Sequence, residues 1–123
     1  MAKTVMIVDD DEDIVQCQQV IVRALGHRPL VARGGKEFLD SLVSAKPDLV
    51  LLDVMMAGLD TKDILERVRK LGRRDMKIVL VTVVRFSEEE IRLLKQKYGI
   101  VDYIKKPFDI EDIEAVITKQ LQG

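Results

Sequence analysis

Acids crowd one point near the start of the chain, Asp9-Asp10-Asp11-Glu12, with Asp13 next. A lone carboxylate, Asp53, closes the apolar run Leu49-Val50-Leu51-Leu52. Thr82 ends a second apolar run, Ile78 to Val81, and Lys106 stands directly before Pro107. Carboxylates brought together repel unless something compensates them. A divalent cation or the Lys106 ammonium would serve, and an oxygen-only pocket suits Mg²⁺, which takes one or two carboxylates and keeps several waters. Such a pocket is suited to phosphoryl transfer, because metal and lysine neutralise charge on the transferred group's oxygens. Asp53 would be the nucleophile, forming an aspartyl phosphate. Thr82 would donate a hydrogen bond to one phosphoryl oxygen, and Lys106 would pair with another as a point charge. The plainer alternatives are that Asp53 caps the following loop or helix, and that the early acids favour a helix dipole. Five acids in a row exceed what one helix start requires.

These groups can meet only if the chain brings them together, and the hydropathy pattern says how. Thr4–Val8 reads as a first strand, and helical spacing follows from Ile14 through Cys17, Ile21, Ala24 and Leu25 to Gly26. Arg28–Ala32 reads as a second strand, placed at an edge by Pro29. Residues 36–44 carry a helical stripe of Phe38, Leu39, Leu42 and Val43. Leu49 to Leu52 is the third strand, and Thr61–Leu71 a helix ended by Gly72. Lys77–Val81 is the fourth strand, with Thr82 at its carboxyl end. Ser87-Glu88-Glu89-Glu90 forms a capping box for a helix reaching Tyr98. Asp102–Lys105 is the fifth strand, and Asp109 caps a last helix bearing Ile110, Ile113, Val116, Ile117 and Leu121.

Five alternations of strand and helix imply an α/β fold, a doubly wound five-stranded parallel sheet with helices on both faces. The leading arrangement is flavodoxin-like, strand order 2-1-3-4-5, with its crevice between strands 1 and 3. Asp9, Asp10 and Asp53 would share that crevice.

The 123 residues read as one domain, residues 1–123, with 47% hydrophobic and 33% charged residues and a net charge of −1. That balance gives no electrostatic case for nucleic acid or an acidic membrane surface. No apolar run approaches the roughly 20 residues of a membrane span. A lone cysteine, Cys17, suits a reducing cytosol, so a cytoplasmic location is expected. The acid run lacks the Gly and Glu of a calcium loop, having Ile14 and Val20 there. No glycine-rich phosphate loop follows the first strand.

Val8-Asp9-Asp10, Leu51-Leu52-Asp53, Val81-Thr82 and Tyr103-Ile104-Lys105-Lys106-Pro107-Phe108 together resemble the receiver domains of two-component response regulators. The resemblance covers essentially the whole chain. It implies that Asp53 accepts phosphate from a histidine kinase or phosphotransfer domain, with Asp9, Asp10, Asp53 and the backbone carbonyl of Met55 holding Mg²⁺. It further implies a cis Lys106–Pro107 bond that aims Lys106 into the site. Thr82 and Tyr103 are the implied switch residues, Thr82 moving toward the phosphoryl group and Tyr103 turning inward. The implied readout face is helix 4, strand 5 and helix 5, directed at a downstream protein or an output domain, with a homodimer through that face a further candidate. The chain would catalyse its own phosphorylation and dephosphorylation without being a turnover enzyme. No output domain is discernible in the sequence.

The sequence departs from the family pattern at Ala57 (usually Pro), Thr61 (usually Gly) and Val83 (usually a smaller residue). Met55 and Val84 would flank the attacking water and are both apolar, so a long-lived phosphoryl group is expected. Two readings compete. Asp9-Asp10-Asp11 resembles the nucleophile motif of haloacid dehalogenase-type phosphatases, in which Asp9 would attack, although Glu12 departs from that motif. A receiver-like module that binds partners without being phosphorylated is the other.

Overall fold

The computed structural model describes residues 2–54, 61–73 and 75–122. Strands β1 (Thr4–Val8), β2 (Arg28–Ala32), β3 (Leu49–Leu52), β4 (Lys77–Thr82) and β5 (Ile100–Lys105) alternate with helices α1 (Glu12–Ala24), α2 (Gly35–Ser41), α3 (Thr61–Lys70), α4 (Glu88–Tyr98) and α5 (Ile110–Gln120). The strands form one parallel sheet in the order β2-β1-β3-β4-β5, the arrangement expected from the alternation.

Side chains alternate across a strand, so each buried strand feeds two cores. Met6, Val8, Val50, Leu52 and Leu80 face the side covered by α2 and α3, with Phe38, Ile64 and Leu65 fully buried among them. Val5, Ile7, Leu49, Leu51, Val79 and Val81 face the opposite side, against Val15 and Ile21 of α1 and Ile113 and Ile117 of α5. Every residue of β3 is buried, because both its faces are covered and it lies between two strands. At roughly 1.5–3 kcal/mol per buried aliphatic side chain, these two layers supply the main driving force for folding.

Asp11 caps α1, its carboxylate accepting from the amides of Asp13 at 2.9 Å and Ile14 at 3.3 Å. One acid of the cluster is therefore accounted for by the helix start. The Ser87–Glu90 capping box opens α4 as its spacing requires, and Gly99, at φ 69°, ends it in the left-handed region that a side chain would disfavour.

Several boundaries differ from the hydropathy reading. α2 ends at Ser41, whose hydroxyl donates to the Phe38 carbonyl at 2.6 Å; Val43 lies in the turn beyond it and is 91% exposed. β5 begins at Ile100, two residues before the expected start at Asp102, and its ladder with β4 carries a register shift between Ile78 and Val79. Leu71, expected as the last apolar residue of α3, is exposed beyond that helix's end.

Candidate functional site

Parallel strands place all their carboxyl ends at one edge of the sheet, and the chemistry-bearing residues stand there. Asp9 follows β1, its amide donating to the Ala32 carbonyl at 3.1 Å, and Asp53 follows β3, its amide donating to the Val8 carbonyl at 2.9 Å. The strand ladder thus extends one residue further on each and fixes both carboxylates beside one another. Thr82 is the last residue of β4, and the Lys106 amide donates to its carbonyl at 2.8 Å. Asp10 follows Asp9 directly and is exposed to water.

Carboxylate oxygens of Asp9, Asp10 and Asp53 lie within 4.8 Å of one another. The Lys106 ammonium reaches in from the fifth strand, donating to Asp9 Oδ2 at 2.6 Å and to Asp53 Oδ2 at 3.3 Å. The Asp11 amide donates to the other Asp9 oxygen at 3.0 Å. Asp9 and Asp53 are almost wholly buried, while Lys106 keeps 12% of its side chain exposed.

Burial raises the Asp9 carboxyl above the usual aspartate range, against the lowering by Lys106 and by the Asp11 amide. Burial is also the largest single influence on Lys106 and would lower it. The hydrogen bond from Asp9 and the charges of Asp9 and Asp53 outweigh that, so the ammonium is held above its ordinary value. Lys106 is therefore a firm cation in an acid-rich crevice.

Thr82 is fully buried, and its hydroxyl oxygen accepts from the Val84 amide at 3.2 Å. The Lys106–Pro107 peptide is cis. Tyr103 is half-buried, and its hydroxyl donates to the Val84 carbonyl. Its ring meets Phe86 edge to face, centroids 5.6 Å apart. The segment after Thr82 is thus tied to both Thr82 and Tyr103. Met55, Ala57 and Asp60 lie outside the described residues. Thr61, at the start of α3, donates from its hydroxyl to the Val54 carbonyl at 3.0 Å.

Other candidates have plainer roles. His27 accepts from the Lys3 amide at 3.1 Å and ties the start of β1, a role the sequence does not reveal. Cys17 packs against the α1–α5 core. Val83 is 52% exposed and Arg85 is exposed. Three features escape sequence reasoning. Phe86 buttresses Tyr103; Arg33 makes a two-pronged ion pair with Glu12 at 2.9 and 3.1 Å; and Gln18 sits fully buried among apolar residues. Only Gln18 carried a signal, as a polar residue on the buried stripe of α1 between Val15 and Val22.

The family model for the response regulator receiver domain matches residues 5–118. The chain belongs to that family. Among solved structures, a CheY-like receiver domain protein of Methanospirillum hungatei shares 28% identity at a TM-score of 0.86, covering 98% of this chain and 94% of its own. The receiver domain of a Francisella response regulator shares 28% identity at a TM-score of 0.83, covering 96% and 95%. A response regulator of Thermotoga maritima, solved in complex with Mg²⁺ and a beryllofluoride, shares 27% identity at a TM-score of 0.80, covering 97% and 99%. Receiver domains are signalling switches of two-component systems rather than turnover enzymes, and they bind Mg²⁺ at an acidic pocket; this receiver domain has its acidic cluster at Asp9, Asp10 and Asp53. The phosphatase reading loses its footing, because Asp11, the second acid of that motif, is taken up by the cap of α1. No helix among the described residues is long and apolar enough to cross a membrane.

Proposed function

We propose that this receiver domain is a phosphorylation-dependent switch whose phospho-acceptor is Asp53. The observation that carries the reading is the convergence of Asp53 with two further carboxylates and the Lys106 ammonium at one sheet edge. Three carboxylates with only oxygen donors, one of them open to water, fit a hard divalent cation such as Mg²⁺. Asp9, Asp10 and Asp53 would hold it, with the Met55 carbonyl a further ligand. When bound, the metal supplies charge neutralisation for the transferred phosphoryl oxygens.

The phosphoryl donor is a histidine kinase or a histidine phosphotransfer domain. An Asp53 carboxylate oxygen attacks phosphorus, the donor's phosphorus–nitrogen bond breaks, and the imidazole leaves with its electron pair and takes up a proton. The phosphoryl group then sits on Asp53 as an acyl phosphate. Lys106 turns from Asp53 toward a phosphoryl oxygen as a fixed positive charge, and the Thr82 hydroxyl donates to another.

Phosphorylation adds about 1.5 to 2 negative charges at one point. Only the arrangement that brings Thr82 and Lys106 within reach gains from them, so its population rises. Thr82 and Tyr103 both bond the backbone of Val84, so a movement of Thr82 is felt at Tyr103 through one residue. The readout face is α4, β5 and α5, presented in the cytoplasm to a downstream protein, to an attached output domain or to a second copy of the chain.

The deciding experiment is Mg²⁺-dependent phosphorylation of the wild type and of Asp53→Asn, with mapping of the modified residue. Label on Asp53 that is lost in the variant and in EDTA supports the reading. Equal incorporation in the variant, or label on Asp9, overturns it.

A further inference from the structure

β5 contains one residue more than its partner strand. Ile78 pairs with Ile100 and Val79 with Asp102, which leaves Val101 without a partner in the ladder. Two residues facing one is a β-bulge, and its effect is to shift the phase of everything after it. Ile100 and Tyr103 both face the α2–α4 side of the sheet, although three residues separate them, and Val101 and Ile104 both face the α1–α5 side. In an unbroken strand residues three apart point to opposite faces. Closing the bulge with every residue kept would set Val101 against Val79, Asp102 against the buried Leu80, and Tyr103 against Val81, on the wrong face of the sheet. It would also set Ile104 beside Thr82 and move Lys106 one place beyond its present register.

The residue that stabilises the shifted register is Asp102. β5 is the edge strand, and its ladder donates at Lys106, to the Thr82 carbonyl. Tyr103 lies an odd number of residues away, so its amide turns to the open edge. There the Asp102 carboxylate accepts it at 2.8 Å. An aspartate bonding the next residue's amide is a local arrangement that favours the kinked backbone over a straight strand. It also puts a charge on an open sheet edge, which discourages pairing with another chain.

We propose that Asp102 is a positioning residue: by holding the bulge it selects the face that Tyr103 takes and which of the adjacent lysines, Lys105 or Lys106, enters the acid site. The register claim stands on its own, whereas its meaning for signalling rests on the function proposed above. The test therefore reads the register first, without phosphorylation. The protein is made with fluorotyrosine and followed by ¹⁹F NMR, with Tyr98→Phe separating the two tyrosines. Asp102→Ala is expected to move the Tyr103 resonance or split it in two as the register slips. Asp102→Asn, which keeps the accepting oxygen, is expected to restore the wild-type resonance. Affinity for beryllofluoride with Mg²⁺ is read second, and should fall at least several-fold in Asp102→Ala and recover in Asp102→Asn. If Asp102→Ala lowers thermal stability but leaves the Tyr103 resonance in place, or if Asp102→Asn fails to restore it, the positioning role is wrong. If the resonance shifts and recovers as expected while wild-type protein ignores beryllofluoride, the register device stands and the proposed function falls.

Discussion

Replacing Lys106 with methionine keeps most of the side chain's length and removes its charge. In the wild type that charge lies 2.6 Å from Asp9 and 3.3 Å from Asp53. At an effective dielectric constant of about 20 each contact carries roughly 5–6 kcal/mol of attraction. Most of this is offset by the cost of taking three charges out of water. What the substitution exposes is the penalty of leaving two buried carboxylates without a cation, about 3–5 kcal/mol where one partner of a buried pair is removed. Lys106 retains 12% exposure, so the lower end, about 3 kcal/mol, is the expected loss. For a chain of this size that corresponds to a fall of roughly 10 °C in Tm. Urea unfolding of Lys106→Met and wild type, each in EDTA and in saturating Mg²⁺, measures it. Ammonium and metal compensate the same carboxylates, so Mg²⁺ should stabilise the variant more than the wild type and close much of the gap. A variant as stable as wild type in EDTA, or one with the same deficit in both conditions, would refute the argument that these charges share one site.

Ser87→Ala should cost about 1 kcal/mol by removing the cap of α4; because α4 has no fully buried residue, the loss should appear first as faster hydrogen exchange within Glu88–Tyr98. Hydrogen bonds from Ser87 hold the Glu90 carboxyl below its ordinary value, so the cap's contribution is present above that ordinary value and is lost as pH falls through the lowered one; hydrogen exchange in α4 that is indifferent to acid would contradict this. Gln18 is 1% exposed and its side-chain amide has no hydrogen-bond partner among the described residues, so Gln18→Met should stabilise the protein by about 1 kcal/mol, and a comparable loss in urea unfolding would show the amide to be satisfied. The aspartyl phosphate should be long-lived, since Val84 offers no side-chain group to orient water; loss of label within seconds of removing the donor would count against it, and Val84→Asn should hasten the loss.

Much of this protein is legible along the chain because its elements are locally encoded. The alternation of apolar strands with amphipathic helices follows from periods of two and 3.6 residues, and the caps at Asp11, Ser87 and Gly99 are local chemistry. Given a parallel sheet, Asp9, Asp53, Thr82 and Lys106 must stand at one edge, so their common location is readable without coordinates. The tertiary structure alone decides relations between distant segments. Asp9 meets Lys106 across 97 positions of chain, and Phe86 meets Tyr103 through packing that no local pattern encodes. The face Tyr103 takes was equally hidden. A register shift exists only between two strands, so the fifth strand read alone as Asp102–Lys105 shows no sign of it, and only pairing with β4 reveals the extra residue that turns Tyr103 toward Val84 and sets Lys106 against the acids.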